Sequence, residues 1–502
     1  MSSHEAVAGT VPEHRLHPWS WLFVLLQQLR QFVVPLLALL VAGRRDTGPW
    51  EYAGYASFIG VAVLVAISIL QYFTYRYRIG RDGISVRTGL LRRDLRQIPY
   101  ARIHNVVLHQ GLLHRLFGVA EVRLEAAGGQ KPEAQMRVLG LDRALELEQA
   151  VRDRGAAPLP AEATAPARCD PPLLALSTAE VVRLGLVSNR GMIVFAAGLG
   201  LVWQVFPEKA VAGLLQDWFR GAMGYAGALH LGWLAMAAGV LAFAAVFVLV
   251  LRLLSVVLAL VQYHGFRLVE HQGRLTVERG LLARVRTSVA PRRIQAWHLE
   301  ETLLHRWFGR RSLRIDTAVG GQENDPRRLR ELAPIAPPET CDALLRYLVP
   351  QLQWPPQWKP LPRRAWWRLF AANVPWNLLL AAVLCWHFGA WGLLVLAWLP
   401  WSAYAARRQA GWMGYAVDAR LVAVRGGWWS RWWRMAEVDK IQALRLQRSP
   451  LDRWLGTASL LLDTAGAGAM APPLRIRFLP EAEARALQAR LARMLAARRL
   501  RW

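Results

Sequence analysis

One pattern of glycines and basic residues recurs three times along this chain, each time directly after a long apolar stretch, so the chain must fold as a repeat built in and on a membrane. The first copy reads Gly89-Leu90-Leu91, then Arg102-Ile103, then Leu113-His114-Arg115-Leu116-Phe117-Gly118. The second reads Gly280-Leu281-Leu282, Arg293-Ile294 and Leu304-His305-Arg306-Trp307-Phe308-Gly309, with every interval unchanged. The third has diverged to Gly427-Trp428-Trp429, Lys440-Ile441 and Leu451-Asp452-Arg453-Trp454-Leu455-Gly456, yet each glycine and basic residue keeps its place. An acidic residue follows the last glycine at one fixed offset, as Glu125, Asp316 and Asp463.

Composition agrees with this alternation of membrane and surface. The 502 residues are 54% hydrophobic with a mean hydropathy of +0.19, too apolar for an ordinary soluble protein and too charged for a bare helical bundle. A formal net charge of +27 suits anionic lipid at a cytoplasmic face better than nucleic acid, because the charge accompanies apolar spans. Cys169, Cys341 and Cys385 show no CxxC spacing, so neither a disulfide framework nor a zinc ribbon is encoded. The polar first fifteen residues and the absence of a small-residue cleavage site argue against a cleavable signal.

Six membrane segments are expected, in three pairs, one pair before each copy. The clearest covers residues 53–73, near the ~20 apolar residues a bilayer core requires. Residues 32–41 are apolar but short, and Arg30 is expected at the interface, with residues 19–29 as a surface lead-in helix. The design returns where Ser177-Thr178-Ala179-Glu180 reads as a capping box and Arg190 stands fourteen residues after Leu176, as Arg30 does after Leu16. Spans are then expected at 192–206 and 229–251, and a tight hairpin over 374–404 turning near Gly389. Arginines crowd the copies, as at Arg76, Arg78, Arg81 and Arg87, whereas the intervening loops are balanced or uncharged. Positive residues near span ends stay inside, which places all three copies and both termini in the cytoplasm; Arg44 and Arg45 in the first loop argue the other way.

Within each copy residues alternate as short strands. Residues 75–79, a turn at Asp82-Gly83 and residues 84–87 open the first copy; 266–268 and 275–279 match them in the second. Further strands are expected at 119–124, 137–139, 312–315 and 474–478, and closing helices at 142–151, 339–348 and 481–500. The units read as a cytoplasmic tail 1–15; lead-in helix and hairpin 16–74, copy 75–154; linker 155–175; hairpin 176–262, copy 263–349; linker and hairpin 350–406, copy 407–502. The Ala/Pro-rich and Trp/Pro-rich linkers suggest separate modules.

Gly-Leu-Leu, Arg-Ile, Leu-His-Arg-Leu-Phe-Gly and Asp316-Thr317-Ala318, with a lead-in opening Leu16-His17-Pro18, resemble the bacterial pleckstrin-homology-like domain of the YdbS/YdbT membrane proteins, in a three-copy form. The resemblance covers nearly the whole chain apart from the linkers. It implies α-helical membrane hairpins combined with α+β pleckstrin-homology-like (PH-like) domains, each a small bent antiparallel sheet with a C-terminal helix, and a smaller single-domain companion. Copy one departs from the family pattern with His104-Asn105 after Arg-Ile, and copy three with Asp452 in place of histidine.

Activity must be argued from sites, since a shared fold says little about a ligand. Arg102, Arg293 and Lys440 could each hold a lipid phosphate, or pair structurally with Glu125, Asp316 and Asp463. Trp428, Trp429, Trp432 and Trp433, flanked by Arg431 and Arg434, fit either an interfacial lipid or partner contact or core packing. Arg30 and Arg190 are edge charges that could touch lipid. His104, His109 and His114 recur every five residues, a spacing that brings them onto one face of neither helix nor strand, so metal ligation is disfavoured. No phosphate loop, GxSxG elbow or HExxH occurs, and no cofactor is implied. The expectation is a non-enzymatic scaffold binding anionic lipids or a partner protein; the competing reading is a lipid-handling or transport component.

Overall fold

A computed structural model describes residues 14–26, 53–80, 82–89, 93–126, 133–155, 171–205, short stretches between 212 and 224, 233–271, 273–317, 329–350, 353–362, 365–465 and 473–497. Copy one comprises β1 (His14–Arg15), helix α1 (Ala53–Thr74), β2 (Arg76–Ile79), β3 (Gly83–Thr88), β4 (Asp94–Pro99), β5 (Ile103–Gln110), α2 (Leu112–Leu116), β6 (Val119–Ala126), β7 (Ala134–Gly140) and α3 (Leu141–Gly155). Copy two comprises β8 (Leu174–Ala175), α4 (Thr178–Val187), α5 (Arg190–Val205), α6 (Trp233–Tyr263), β9 (Arg267–His271), β10 (Arg274–Arg279), β11 (Arg284–Val289), β12 (Ile294–Glu301), α7 (Leu303–Trp307), β13 (Arg311–Thr317), β14 (Glu331–Ala336) and α8 (Pro338–Leu348). Copy three comprises β15 (Lys359–Pro360), α9 (Ala365–Phe388), a 3-10 stretch Gly389–Ala397, α10 (Trp398–Trp412), β16 (Gly414–Val417), β17 (Leu421–Gly426), β18 (Arg431–Glu437), β19 (Ile441–Gln447), α11 (Pro450–Trp454), β20 (Thr457–Thr464), β21 (Arg475–Pro480) and α12 (Glu481–Ala496).

The alternating residues of each copy form two sheets face to face rather than one bent sheet. In copy one, Tyr77, Ile84, Val86 and Ile98 from the first sheet meet Val106, Leu108, Val122 and Leu124 from the second, and Ala144, Leu147 and Val151 of α3 close the end. Burial of this apolar set, at about 25 cal/mol per Å² removed from water, is the main force holding the layers together. The recurrent glycines are set by backbone geometry. Gly427 turns β17 into β18 at φ +83, and a Cβ there would lie 1.8 Å from the Ser430 carbonyl oxygen. No L side chain fits so close an approach, which explains why this glycine persists where its neighbours diverged.

The copies are not separate modules. β11 of copy two pairs antiparallel with β5 of copy one, and β18 of copy three pairs with β12 of copy two. The strands therefore run in a four-stranded sheet β1-β2-β3-β4, two seven-stranded sheets, β7-β6-β5-β11-β10-β9-β8 and β14-β13-β12-β18-β17-β16-β15, and a three-stranded sheet β19-β20-β21. Burial follows the fusion: Ala416, Leu421, Ala423, Trp433 and Met435 of copy three belong to one core with Leu299, Leu313 and Ile315 of copy two. The second linker also packs rather than spaces, since Trp354 is buried and its Nε1 donates to Asp342 Oδ1 at 2.7 Å.

A two-residue strand precedes each apolar insert and pairs with the strand that follows it: β1 with β2, β8 with β9, β15 with β16. Two helical stretches among the described residues are long and apolar enough to cross a membrane, Leu234–Tyr263 and Ala365–Trp412; α4 and α5, bent by 55° where they meet, make a third if they count as one span. α9 packs back on the 3-10 stretch and α10, the chain turning at Gly389 with φ +62. The expected segment 32–41, and Arg30 with it, lies outside the described residues.

Candidate functional site

The recurring basic residues end equivalent turns. Arg102, Arg293 and Lys440 close 3-10 turns at Tyr100–Arg102, Pro291–Arg293 and Val438–Lys440, at the seam between the two sheets of each copy. Arg102 is exposed; Arg293 and Lys440 are half-buried. The anticipated pairing of each with its own copy's acid gives way to other partners. Asn105 Nδ2 donates to Glu125 Oε2 at 2.9 Å, Arg434 Nη2 meets Asp316 Oδ2 at 2.6 Å, and Lys440 Nζ donates to the Arg292 carbonyl at 2.8 Å. Sheet fusion is the cause: Arg434 and Lys440 both reach from copy three into copy two.

The four tryptophans divide. Trp428 and Trp429 sit in the glycine turn and pack on the membrane hairpin, with ring centroids 6.0 Å (Trp401–Trp428), 5.6 Å (Tyr404–Trp428) and 6.5 Å (Trp401–Trp429) apart. Trp432 is half-buried against the third core. Trp433 is only 6% exposed, with the Arg311 guanidinium 4.6 Å from its ring, so it is a core residue and not open to lipid. The matching turn of copy two is tied to the end of α6, Gly280 N donating to His264 O and Leu281 N to Val261 O, each at 2.9 Å. The glycine turns therefore stand where membrane helix meets domain.

The short helices α2, α7 and α11 carry a feature the repeat contained without advertising. Their last residues Leu116, Trp307 and Trp454 are equivalent, and are 77%, 81% and 82% exposed. Each follows an arginine, Arg115, Arg306 or Arg453. Arg115 Nη1 donates to the Leu281 carbonyl at 2.9 Å, which sets the tip of copy one beside the glycine turn of copy two. An exposed bulky apolar residue at one position in three copies was visible in the alignment of the copies, but its exposure was not.

The histidine of the repeat is a structural cap. In α7 Thr302 Oγ1 lies 2.8 Å from His305 Nδ1 and accepts from His305 N. Burial, with Arg314 nearby, pushes the imidazole down to about 4, so it is neutral. Asp452 takes the same place: Ser449 N and Oγ donate to its Oδ2 at 2.9 and 2.7 Å, and Arg368 Nε at the start of α9 donates to Oδ1 at 2.7 Å. Although burial alone would raise its pKa, these bonds to Arg368 and Ser449 hold it down at about 2. The His-to-Asp departure is thus an exchange of capping groups. In copy one Gly111 is the N-cap, and His114 instead packs on Phe23 at 4.2 Å. Among the described residues no cluster of histidine, cysteine and carboxylates has metal-binding geometry.

Arg190 is no edge charge. Its Nη2 donates to Tyr263 Oη at 2.5 Å and lies 3.6 Å from Glu331 Oε1, with Arg279 3.7 Å from Glu331 Oε2. Burial would raise the Glu331 carboxyl, but Arg190, Arg314 and Arg279 hold it below its ordinary range. This cluster fastens the start of α5 and the end of α6 to the second sheet of copy two, and the capping box at Ser177 is only half made because Glu180 turns to Arg310, Oε2–Nε 2.9 Å and Oε1–Nη2 2.8 Å.

Beside that fastening lies an arginine-rich concavity. A cleft of about 460 Å³ between copies one and two is lined by Arg267, Arg279, Arg284 and Arg286, with Glu278, and by His264 and Gly265 directly after α6. Arg286 is engaged by Glu148 at 3.6 Å and Glu278 at 3.3 Å, and Arg279 by Glu331, while Arg267 and Arg284 are exposed at the rim. Such a cleft can take an anion through guanidinium hydrogen bonds.

Comparison with known proteins agrees with the two-layer domains. No solved structure matches the chain. The chain is 24% identical over 417 residues, 79% of its own length and 82% of the other, to "UPF0699 transmembrane protein YdbT" of Bacillus subtilis (strain 168). The family model described as "Bacterial PH domain" matches residues 22–155, 226–348 and 368–495, most of the chain and all three copies. With its repeated sandwiches and apolar helices, the chain belongs to the bacterial PH domain family.

Proposed function

We propose that this protein is a non-enzymatic scaffold of the cytoplasmic membrane, whose three PH-like domains lie on the inner surface and hold anionic lipid headgroups. The observation that carries the reading is the arginine-lined cleft at the end of α6: four guanidinium groups meet where a membrane helix delivers the headgroup layer. Leu116, Trp307 and Trp454 beside their arginines suit the same interface, apolar tips entering lipid while the cations stay among phosphates. Trp428 and Trp429, packed on the hairpin of copy three, suit the same layer, whereas Arg102 and Arg293 close turns at the opposite end of β5 and β11 from the glycine turn. Because β1·β2, β8·β9 and β15·β16 bring both ends of each apolar insert to one sheet, an even number of crossings, one hairpin per copy, fits best. The arginine-rich copies then lie inside.

The test is lipid retention. The protein is purified in mild detergent, stripped of lipid and supplied with phosphatidylglycerol or phosphatidylcholine vesicles. Selective uptake of phosphatidylglycerol, falling several-fold in Arg267→Gln/Arg284→Gln, is expected; equal uptake of both lipids, or no change in the variant, refutes headgroup binding. Proteins that co-purify after lipid exchange would move the role to a partner protein, a single-domain family member included.

A second reading, lipid handling, is favoured by a cavity of about 550 Å³ between residues 16–24, α1 and copy one, lined by Leu16, Val24, Ile67, Leu70 and Tyr72 with Thr88 and Gln135 among its polar residues. It has room for part of an acyl chain. Lipid movement by reconstituted protein that stops in Val24→Trp would support it.

A further inference from the structure

The two fused sheets use one kind of contact twice, and among the described residues one strand of each type is left without that contact. β11 offers its edge to β5, and β18 to β12, in the same register: Arg284↔Gln110 through Ser288↔Val106, then Arg431↔Glu301 through Met435↔Trp297. Arg284 and Arg431 each stand four residues after the turn glycine, Gly280 or Gly427, as Arg93 does after Gly89. Among the described residues β4, in the first copy, has no neighbour on that side, and β19, in the third, has none.

Burial records the difference. β11 and β18 are largely covered, whereas every residue of β4 but Ile98 is exposed, with Leu95 63% exposed. β19 is likewise more open than β12. Long unpaired edges carrying an exposed leucine are templates for another strand. The two free edges are also complementary in kind, one of the β11 type and one of the β12 type.

We propose that β4 of one molecule pairs with β19 of a second copy of this chain, repeating the internal contact head to tail in the membrane. Transferring the internal register gives Asp94↔Gln447, Leu95↔Leu446, Arg96↔Arg445 and Gln97↔Leu444. Leu95 then meets Leu446. Arg96 takes the place of Arg434, whose guanidinium reaches Asp316 at 2.6 Å, and meets Asp463, the exposed equivalent of Asp316. Pro99, which lacks a donor, falls outside the paired stretch. A contact between unlike edges is heterologous, so it continues as a ring or an open row rather than stopping at a two-fold dimer.

Two differently tagged full-length chains, both with Cys169, Cys341 and Cys385 replaced by alanine, are co-expressed, one carrying Leu95→Cys and the other Leu446→Cys. Mild oxidation in native membranes should give a mixed-tag disulfide dimer at least ten-fold above the off-register pair Leu95→Cys with Arg445→Cys. Leu95→Asp, on an exposed side chain, should abolish species larger than the monomer on native gels while leaving the melting temperature unchanged. Absence of the mixed dimer above the off-register control overturns the proposal. So does exclusive crosslinking of Leu95→Cys to a different protein, which would mean that another PH-like chain holds this edge.

Discussion

Replacing Asp452 by asparagine tests whether the start of α9 is held to its domain by a charged cap. The Asp452 carboxylate is 4% exposed and takes hydrogen bonds from Arg368, from Ser449 twice and from Thr457 Oγ1 at 3.1 Å. Its pKa is held at about 2 against an ordinary 3.8, and each unit corresponds to about 1.4 kcal/mol, so the ionised form contributes roughly 2 to 3 kcal/mol. The sign follows from the depressed folded value. This stability is fully present above the unfolded pKa of 3.8, falls by about 1 kcal/mol by pH 3, and is gone once pH drops through 2. Thermal unfolding in detergent micelles, followed by tryptophan fluorescence at pH 7 and pH 3, should show Asp452→Asn melting several degrees lower at pH 7 and the gap narrowing at pH 3. Asp452→His, the residue of the other copies, keeps the cap but loses the ion pair and should fall between. An Asp452→Asn melt equal to the parent, or a gap that stays constant down to pH 3, refutes the assignment.

His305 predicts a second pH effect, of opposite chemical origin. Its imidazole is held at about 4 against 6.5, so between pH 6.5 and 4 only the unfolded chain takes the proton, and stability falls by up to about 3 kcal/mol; His305→Gln should flatten that part of a melting-temperature profile. Arg434→Met removes the ion pair to Asp316 across the copy two–copy three seam and should cost about 3 kcal/mol, while Arg434→Met/Asp316→Leu recovers most of it in a double-mutant cycle read by thermal melting. Gly427→Ala places a methyl 1.8 Å from a carbonyl oxygen at φ +83 and should lower the melting temperature by several degrees, whereas Gly411→Ala, with open space around it, should not.

Much of the domain was readable because its constraints are local. The turn glycines, the alternation in 84–87 and 275–279 and the closing helices each follow from a few neighbouring residues. The fusion of copies was not, because β4, β11 and β18 carry similar patterns while, among the described residues, only β11 and β18 have a strand of another copy alongside. Alternation tells which face is apolar and nothing about which strand lies alongside. The same gap accounts for the site. Arg190 read as an edge charge because its partners Tyr263 and Glu331 lie far along the chain. Trp433 could be read as interfacial or as core because its covering arginine, Arg311, belongs to another copy. The cleft of Arg267, Arg279, Arg284 and Arg286 exists only where copies one and two meet.

The two-residue strands ahead of the apolar inserts bear on how such a chain is made. Leu174–Ala175 leaves the ribosome before α4, α5 and α6, yet its partner Arg267–His271 follows all of them. That sheet edge is completed only after the intervening segment has been inserted and has come back. Contacts so distant in sequence form late, since the loop must close before they reward it. A chain whose insert fails to reach the membrane keeps an unfinished sheet, its edge open to other strands. Completion of each domain thus reports that the preceding membrane segment has been delivered.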